Sequence, residues 1–290
     1  MRGTRMSDLP HGEFPDSSAD ALLGVRIGDD DGVETVDLNP YPPLVDSDGH
    51  LPPGALFMAA DLSLGRALSL RTQVGSFAIT SHLHLELVNP LIPLEMVVTC
   101  RADVVAIDSL SGLARGELSS PYGCVAIASG RFQVLPHGHR GLDAVDGRPS
   151  VVDHVDLAPE ASQGPRDVDE ILGIDLVTCN ATEAQFAVAG GAQLANDRGG
   201  VHGGVGGLIT ERCASIAVNR WLGGPGLWRA TELRVFFARP MLAVGGQITA
   251  ITSLRRAGRR TALTSTTVYA QGRPSVMGDA IHSFIPLKGR

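Results

Sequence analysis

The sequence predicts an α+β chain in which one long helix followed by a meander of antiparallel strands occurs twice. Three observations predict it. Asp46, Gly49, Pro52-Pro53-Gly54 and Asp61 recur 150 positions later as Asn196, Gly199, His202-Gly203-Gly204 and Glu211, and Pro90 and Pro240 keep the same register. The length of 290 residues suits two domains of roughly 150 residues each, each long enough to bury a core. Each motif opens an apolar stretch with helical spacing, and each stretch leads into β-rich segments. A period of this size exceeds the roughly 20–50 residues of a solenoid unit, so the pattern reads as a duplicated domain.

The elements follow in order. Residues 1–20 are polar, contain Pro and Gly, and read as a disordered tail. The first unit spans 21–135. Two short β-like runs flank Gly28 to Gly32, which is a hairpin signal. A Pro/Gly/Asp-rich loop over 39–53 leads to a helix within Ala55 to Leu70, where Leu56, Ala59, Ala60, Leu64, Ala67 and Leu68 share a face. Strands are expected near 77–88, 95–107, 112–119 and 124–135. His82, His84 and Glu86 alternate with Leu83, Leu85 and Leu87, the two-residue period of a half-buried strand. Residues 136–169 are poor in aromatics and rich in Gly, Pro, Asp and His, and read as an interdomain linker. The second unit, 170–290, repeats the plan: a hairpin at about 171–190, a Gly-rich loop over 190–204, a helix near 205–222, and strands near 229–238, 246–255, 260–270 and 277–286.

Composition narrows the function classes. The net charge is −7, with no Lys/Arg-rich run interleaved with aromatics, which argues against a nucleic-acid partner. Apolar runs are broken by charge well short of about 18 residues, so no membrane span is expected, and the first 20 residues lack the apolar core of a signal peptide. Cys100, Cys124, Cys179 and Cys213 are scattered without a CxxC pair and read as reduced thiols of a cytoplasmic protein. His82, His84 and Glu86 have no further ligand at metal spacing, so no metal is expected. The Gly-rich stretch at 203–207 lacks the strand-to-helix setting of a dinucleotide site.

The repeated motif has chemistry of its own. A Gly-Gly turn that opens a helix presents unsatisfied N–H groups along a positive dipole, a suitable place for an oxyanion. A carboxylate nine residues past position 202 lies roughly 12–14 Å into the helix, too far to serve its own turn. It can serve the turn of the other unit if the helices run antiparallel, and burial on an apolar face would raise its pKa toward that of a general base. The two seams then differ. One combines Asn196, His202 and Gly203 with Asp61. The other combines Asp46, Pro52 and Pro53 with Glu211 and Ser215. Pro53 has no N–H where Gly203 has one, and losing one oxyanion donor costs about 100- to 1,000-fold, so the first seam is expected to work and the second to be weak or silent.

Asn196-x-x-Gly199-x-x-His202-Gly203-Gly204, with Glu211 and the later Arg239-Pro240, resembles the hot-dog-fold acyl-CoA thioesterases of the PaaI-like and 4-hydroxybenzoyl-CoA type. The resemblance covers about 115 residues of the second half and extends in order to the first, where Pro52-Pro53-Gly54 replaces His-Gly-Gly. It implies two hot-dog units in one chain, each a long helix wrapped by a curved antiparallel sheet, with sites in the seams between them. It also implies hydrolysis of a small to medium acyl-CoA and assembly into homo-oligomers. Under it Asp61, Asn196, His202, Gly203 and Glu211 are catalytic candidates, and Gly204, Ser215 and Thr80 line the substrate. Arg255, Arg256 and Arg259 would clamp the phosphates of coenzyme A, which enters as part of the substrate, with no separate cofactor. Plainer alternatives stand beside these roles: His202 as a loop cap, Ser215 as helix packing, Thr80 as a strand residue, the arginines as a solvated turn. At the level of the whole protein the rivals are a non-catalytic acyl-CoA- or lipid-binding protein, a hot-dog hydratase or dehydratase, and an interaction protein.

Overall fold

The structure, a computed structural model, describes residues 17–30, 33–73, 76–94, 96–136 and 167–286. The first half contains α1 (Ser18–Leu22), β1 (Val25–Asp30), β2 (Val33–Leu38), short 3-10 turns at Pro42–Leu44 and Pro53–Ala55, α2 (Leu56–Ser69), β3 (Phe77–Leu87), β4 (Val98–Ile107), β5 (Ser111–Ser120) and β6 (Gly123–Leu135). The second half repeats them as α3 (Val168–Leu172), β7 (Ile174–Cys179), β8 (Glu183–Val188), a 3-10 turn at Ala192–Leu194, α4 (Gly203–Leu222), β9 (Gly226–Phe237), β10 (Ile248–Ala257), β11 (Thr261–Ala270) and β12 (Arg273–Pro286).

The strands form one antiparallel sheet in the order β1-β2-β4-β5-β6-β3-β9-β12-β11-β10-β8-β7. The halves join edge to edge where β3 pairs with β9, which leaves neither inner edge exposed. In that pairing His84 faces Arg234, its own counterpart 150 positions on, so a pseudo-two-fold axis passes there. Leu83, Leu85, Leu233 and Val235 are buried beneath the helices, while His84 Nε2 lies 3.3 Å from Glu232 Oε1 on the other face.

The two long helices cross antiparallel at glycines. A Cβ on Gly204 would lie 2.7 Å from Met58 Cα, and one on Gly54 would lie 2.7 Å from Glu211 Cβ and 3.1 Å from Leu208 Cα. No real side chain tolerates those distances, so both Gly-Gly-like turns owe their small residues to this crossing. The crossing brings each helix start alongside the carboxylate of the other helix.

Two short helices modify the sequence reading. Residues 1–16 and 137–166, most of the expected tail and linker, lie outside the described residues. Ser17–Asp20, expected within the tail, instead start α1 through a capping box: Ser17 Oγ accepts from Asp20 N–H (3.1 Å) and Asp20 Oδ2 accepts from Ser17 N–H (3.1 Å). Val168 and Asp169, expected at the end of the linker, belong to α3. Each short helix docks on the opposite half: Ala19 N–H donates to Ala195 O (3.2 Å), and Val168 N–H donates to Val45 O (2.7 Å).

Candidate active site

At the seam between α2 and the start of α4, Asp61 meets Gly203 and Gly204. The Gly204 N–H is shared between Asp61 Oδ2 and His202 Nδ1, each 3.0 Å away. His202 is thereby the N-cap of α4, and its Nδ1 lies 3.4 Å from Asp61 Oδ2. Thr80 Oγ donates to Asp61 Oδ1 at 2.6 Å. Thr80 reaches inward because β3 bulges between Thr80 and His82; the extra residue reverses the alternation, so Thr80 faces the helix although His82 and His84 face away. Burial raises the Asp61 carboxyl above the usual carboxylate range, against the opposing pull of His202, the Thr80 hydroxyl and the Gly204 N–H.

Gly203 is the first residue of α4, where a helix leaves N–H groups without intrahelical acceptors. A Cβ there would run into the Asp61 carboxylate. Asp61, Thr80, Asn196, His202 and Gly203 line one wall of a cavity of about 410 Å³, a size that suits a small ligand. Its other walls are largely apolar, including Leu62, Ile79, Phe132 and Met241. Asn196 uses its Oδ1 to hold its own loop, accepting from Arg198 N–H (2.9 Å) and Gly200 N–H (3.1 Å). Asp46 does the same in the first half for Asp48 and His50.

Glu211 and Ser215 are brought together, but in the other seam and away from this cavity. Glu211 is 0% exposed; its Oε2 accepts from Gly54 N–H at 3.3 Å and its Oε1 accepts from the Ser215 hydroxyl. Ser215 Oγ lies 3.4 Å from His282 Nε2, and burial pushes that imidazole down to about 3. Burial also raises the Glu211 carboxyl. Arg229 stands 150 positions after Ile79, which lines the cavity of the first seam. It donates to Asp46 and, at 2.9 Å, to Leu51 O. Arg212 pairs with Asp169 at 2.7 Å and approaches Asp46 at 3.6 Å. An ion network thus occupies the second seam.

Arg255, Arg256 and Arg259 sit on the β10–β11 hairpin. The cavity touches Val276, which pairs with Val268, whereas the hairpin end of β11, Thr261, pairs with Ser283. Seven residues of strand, roughly 23 Å, therefore separate the arginines from the cavity, and Arg255 Nε instead donates to Ser265 Oγ at 3.1 Å. His82 packs on Phe236 with ring centroids 4.7 Å apart. Sequence reasoning missed Asp20, which lines the cavity and has an oxygen 3.6 Å from His202 Nε2. The signal available was the capping-box spacing of Ser17 and Asp20, hidden by the polar composition around it.

Among the described residues no helix is long and apolar enough to cross a membrane. Residues 198–277 match the family model of the thioesterase superfamily. A search of curated proteins found no match. Among solved structures the chain is similar to the tesB protein of Mycobacterium avium subsp. paratuberculosis (TM-score 0.65, 14% identity, 93% of this chain and 100% of that one). It is also similar to acyl-CoA thioesterase II TesB2 of Mycobacterium marinum (0.59, 13%, 94% and 99%). A third likeness is a conserved hot-dog-fold protein of unknown function from Alicyclobacillus acidocaldarius (0.59, 11%, 94% and 100%). With its two long helices crossed against one antiparallel sheet, the chain has the double hot-dog fold, and within its second unit residues 198–277 are similar to the thioesterase superfamily.

Proposed function

We propose that the protein hydrolyses the thioester of a small to medium acyl-CoA at the seam holding Asp61, Gly203 and His202. One observation carries the reading: a buried carboxylate, Asp61, stands against the start of the other unit's helix in the wall of a cavity. The thioester carbonyl oxygen binds the Gly203 N–H at the positive end of α4. Asp61 takes a proton from a water whose oxygen attacks the carbonyl carbon. The carbon–sulfur bond then breaks, and the sulfur leaves as a thiol with the proton returned from Asp61. The raised proton affinity of Asp61 suits this exchange near neutral pH. The Asn196 side chain orients the water or the carbonyl, His202 shapes the turn, and the apolar walls receive the acyl chain. The reading carries with it a cytoplasmic protein that forms homo-oligomers.

The test is release of free thiol from a panel of acyl-CoAs by wild type, Asp61→Ala and Glu211→Gln. Loss of at least about 10³-fold in kcat for Asp61→Ala, with most activity kept by Glu211→Gln, is the expected result. A dead Glu211→Gln with an active Asp61→Ala would move the site to the other seam. A wild type that binds acyl-CoA without turnover would make the protein a carrier or sensor.

A further inference from the structure

The neutral His202 ring has a defined tautomer. Nδ1 accepts from the Gly204 N–H, so the ring proton sits on Nε2. That nitrogen faces Asp20 Oδ1 at 3.6 Å. Asp20 is 4% exposed and His202 is 7% exposed. Asp20 Oδ2 is committed to the Ser17 N–H and, at 2.7 Å, to the Ser17 hydroxyl, whereas Oδ1 is buried with no hydrogen bond of its own. The two carboxylates thus flank one imidazole, Asp20 on Nε2 and Asp61 on Nδ1. Asp197 and Arg198, on the loop before His202, and Arg66 and Arg239 are the other charged residues that line the cavity.

The backbone is arranged to deliver Asp20. Helix α1 is anchored through the Ala19 N–H on Ala195 O, next to the turn whose Leu194 O accepts the His202 N–H at 3.0 Å. The pseudo-equivalent helix α3 makes the same crossing, but Pro52 stands where His202 would be. Among the described residues this carboxylate–imidazole pair therefore has no counterpart in the other seam.

We propose that Asp20 is a positioning residue of the active site: with its negative charge facing the Nε2–H of His202 it favours the tautomer that keeps Nδ1 as the acceptor of the Gly204 N–H and so sets the Gly203–Gly204 turn against Asp61. The other tautomer would aim an N–H at the Gly204 N–H and offer a donor to the Asp61 oxygen that must stay basic. The proposal rests on the thioesterase reading for its kinetic consequence, but not for its structural one.

Asp20→Gln separates this role from helix capping, since glutamine at this position keeps the reciprocal cap, and Asp20→Glu restores the charge. Two measurements are made on the full chain: steady-state kinetics on acyl-CoA, and the ¹⁵N NMR tautomer signature of the His202 ring. In Asp20→Gln, kcat should fall at least about tenfold with KM within about threefold, and the His202 signature should move away from pure Nε2–H. Asp20→Glu should recover much of both. Wild-type kcat in Asp20→Gln, or a lowered kcat with an unchanged tautomer, would overturn the proposal. If no acyl-CoA is turned over by the wild type, the functional reading fails while the NMR result still decides the role of Asp20.

Discussion

Asp61 is held where a carboxylate is useful and uncomfortable. Its two oxygens are bonded by the Thr80 hydroxyl and the Gly204 N–H, yet burial still lifts its proton affinity. A carboxyl with a raised folded-state pKa favours folding most at low pH, and that contribution disappears as pH rises through the folded value. Asp61→Asn removes the charge and keeps an acceptor for Gly204. It should abolish turnover while raising Tm at neutral pH by about 2–4 °C, the shift that about 1 kcal/mol produces in a chain of this size. The gain should shrink at acid pH. Calorimetry across pH checks this; a lower Tm for Asp61→Asn at neutral pH would mean that Asp61 is held for stability. The meeting of Asp61 with His202 and Gly203 was open to a sequence argument because glycine pairs and apolar-face carboxylates are unusual enough to register. Thr80 was reachable only through family resemblance. The period-2 pattern of β3 puts it on the outer face with His82 and His84, and only the bulge turns it inward.

At the scale of the helix, Gly203 and Gly204 are small for different reasons. A Cβ on Gly203 meets the end of the Asp61 side chain, while a Cβ on Gly204 meets the backbone of α2 at Met58. Gly203→Ala should displace the carboxylate, lowering kcat by at least about 100-fold with a modest change in Tm. Gly204→Ala must spread the helices and should cost about 1–3 kcal/mol by denaturant titration. Equal stability losses for the two would show that both glycines serve packing alone. The helices and strands were legible within a few residues because their apolar periods span ten or more positions. The short helices α1 and α3 were not. Five residues are too few to show a period, and each gains its place from contacts with the opposite half.

Over the whole molecule, duplication has produced two seams with different contents. The second seam holds Asp46 between Arg229 and Arg212. Burial alone would raise its carboxyl, but the charges of Arg212 and Arg229, the Arg229 hydrogen bond and the His50 N–H together keep it below the usual range. A carboxyl with a lowered folded-state pKa stabilises above its unfolded value, about 3.9, and loses that contribution as pH falls through the folded one. Asp46→Asn leaves the buried Arg229 guanidinium without its carboxylate, while Arg212 keeps Asp169, and should cost about 3–5 kcal/mol at pH 7. The difference from wild type should narrow below about pH 4. A pH-independent difference in urea titrations would assign the loss to packing. The missing N–H of this seam was visible in Pro53. The arginine that closes it was not, because Arg229 lies in a strand whose pattern gives no hint of an inward charge. The arginine run at 255–260 has a composition that suits phosphate, and only the strand register shows how far it lies from the cavity.

The crossing of α1 onto the loop at Ala195 sets an order on the ribosome. His202 emerges 182 residues after Asp20, a delay of roughly ten to forty seconds at ordinary synthesis rates. Until then the first helix has no surface to settle on, and the first unit carries Asp61 without the turn it faces. A nascent or truncated chain is therefore without the wall that Asp20, Asp61 and the second turn build together, and on the proposed reading hydrolysis waits until translation has passed the second motif.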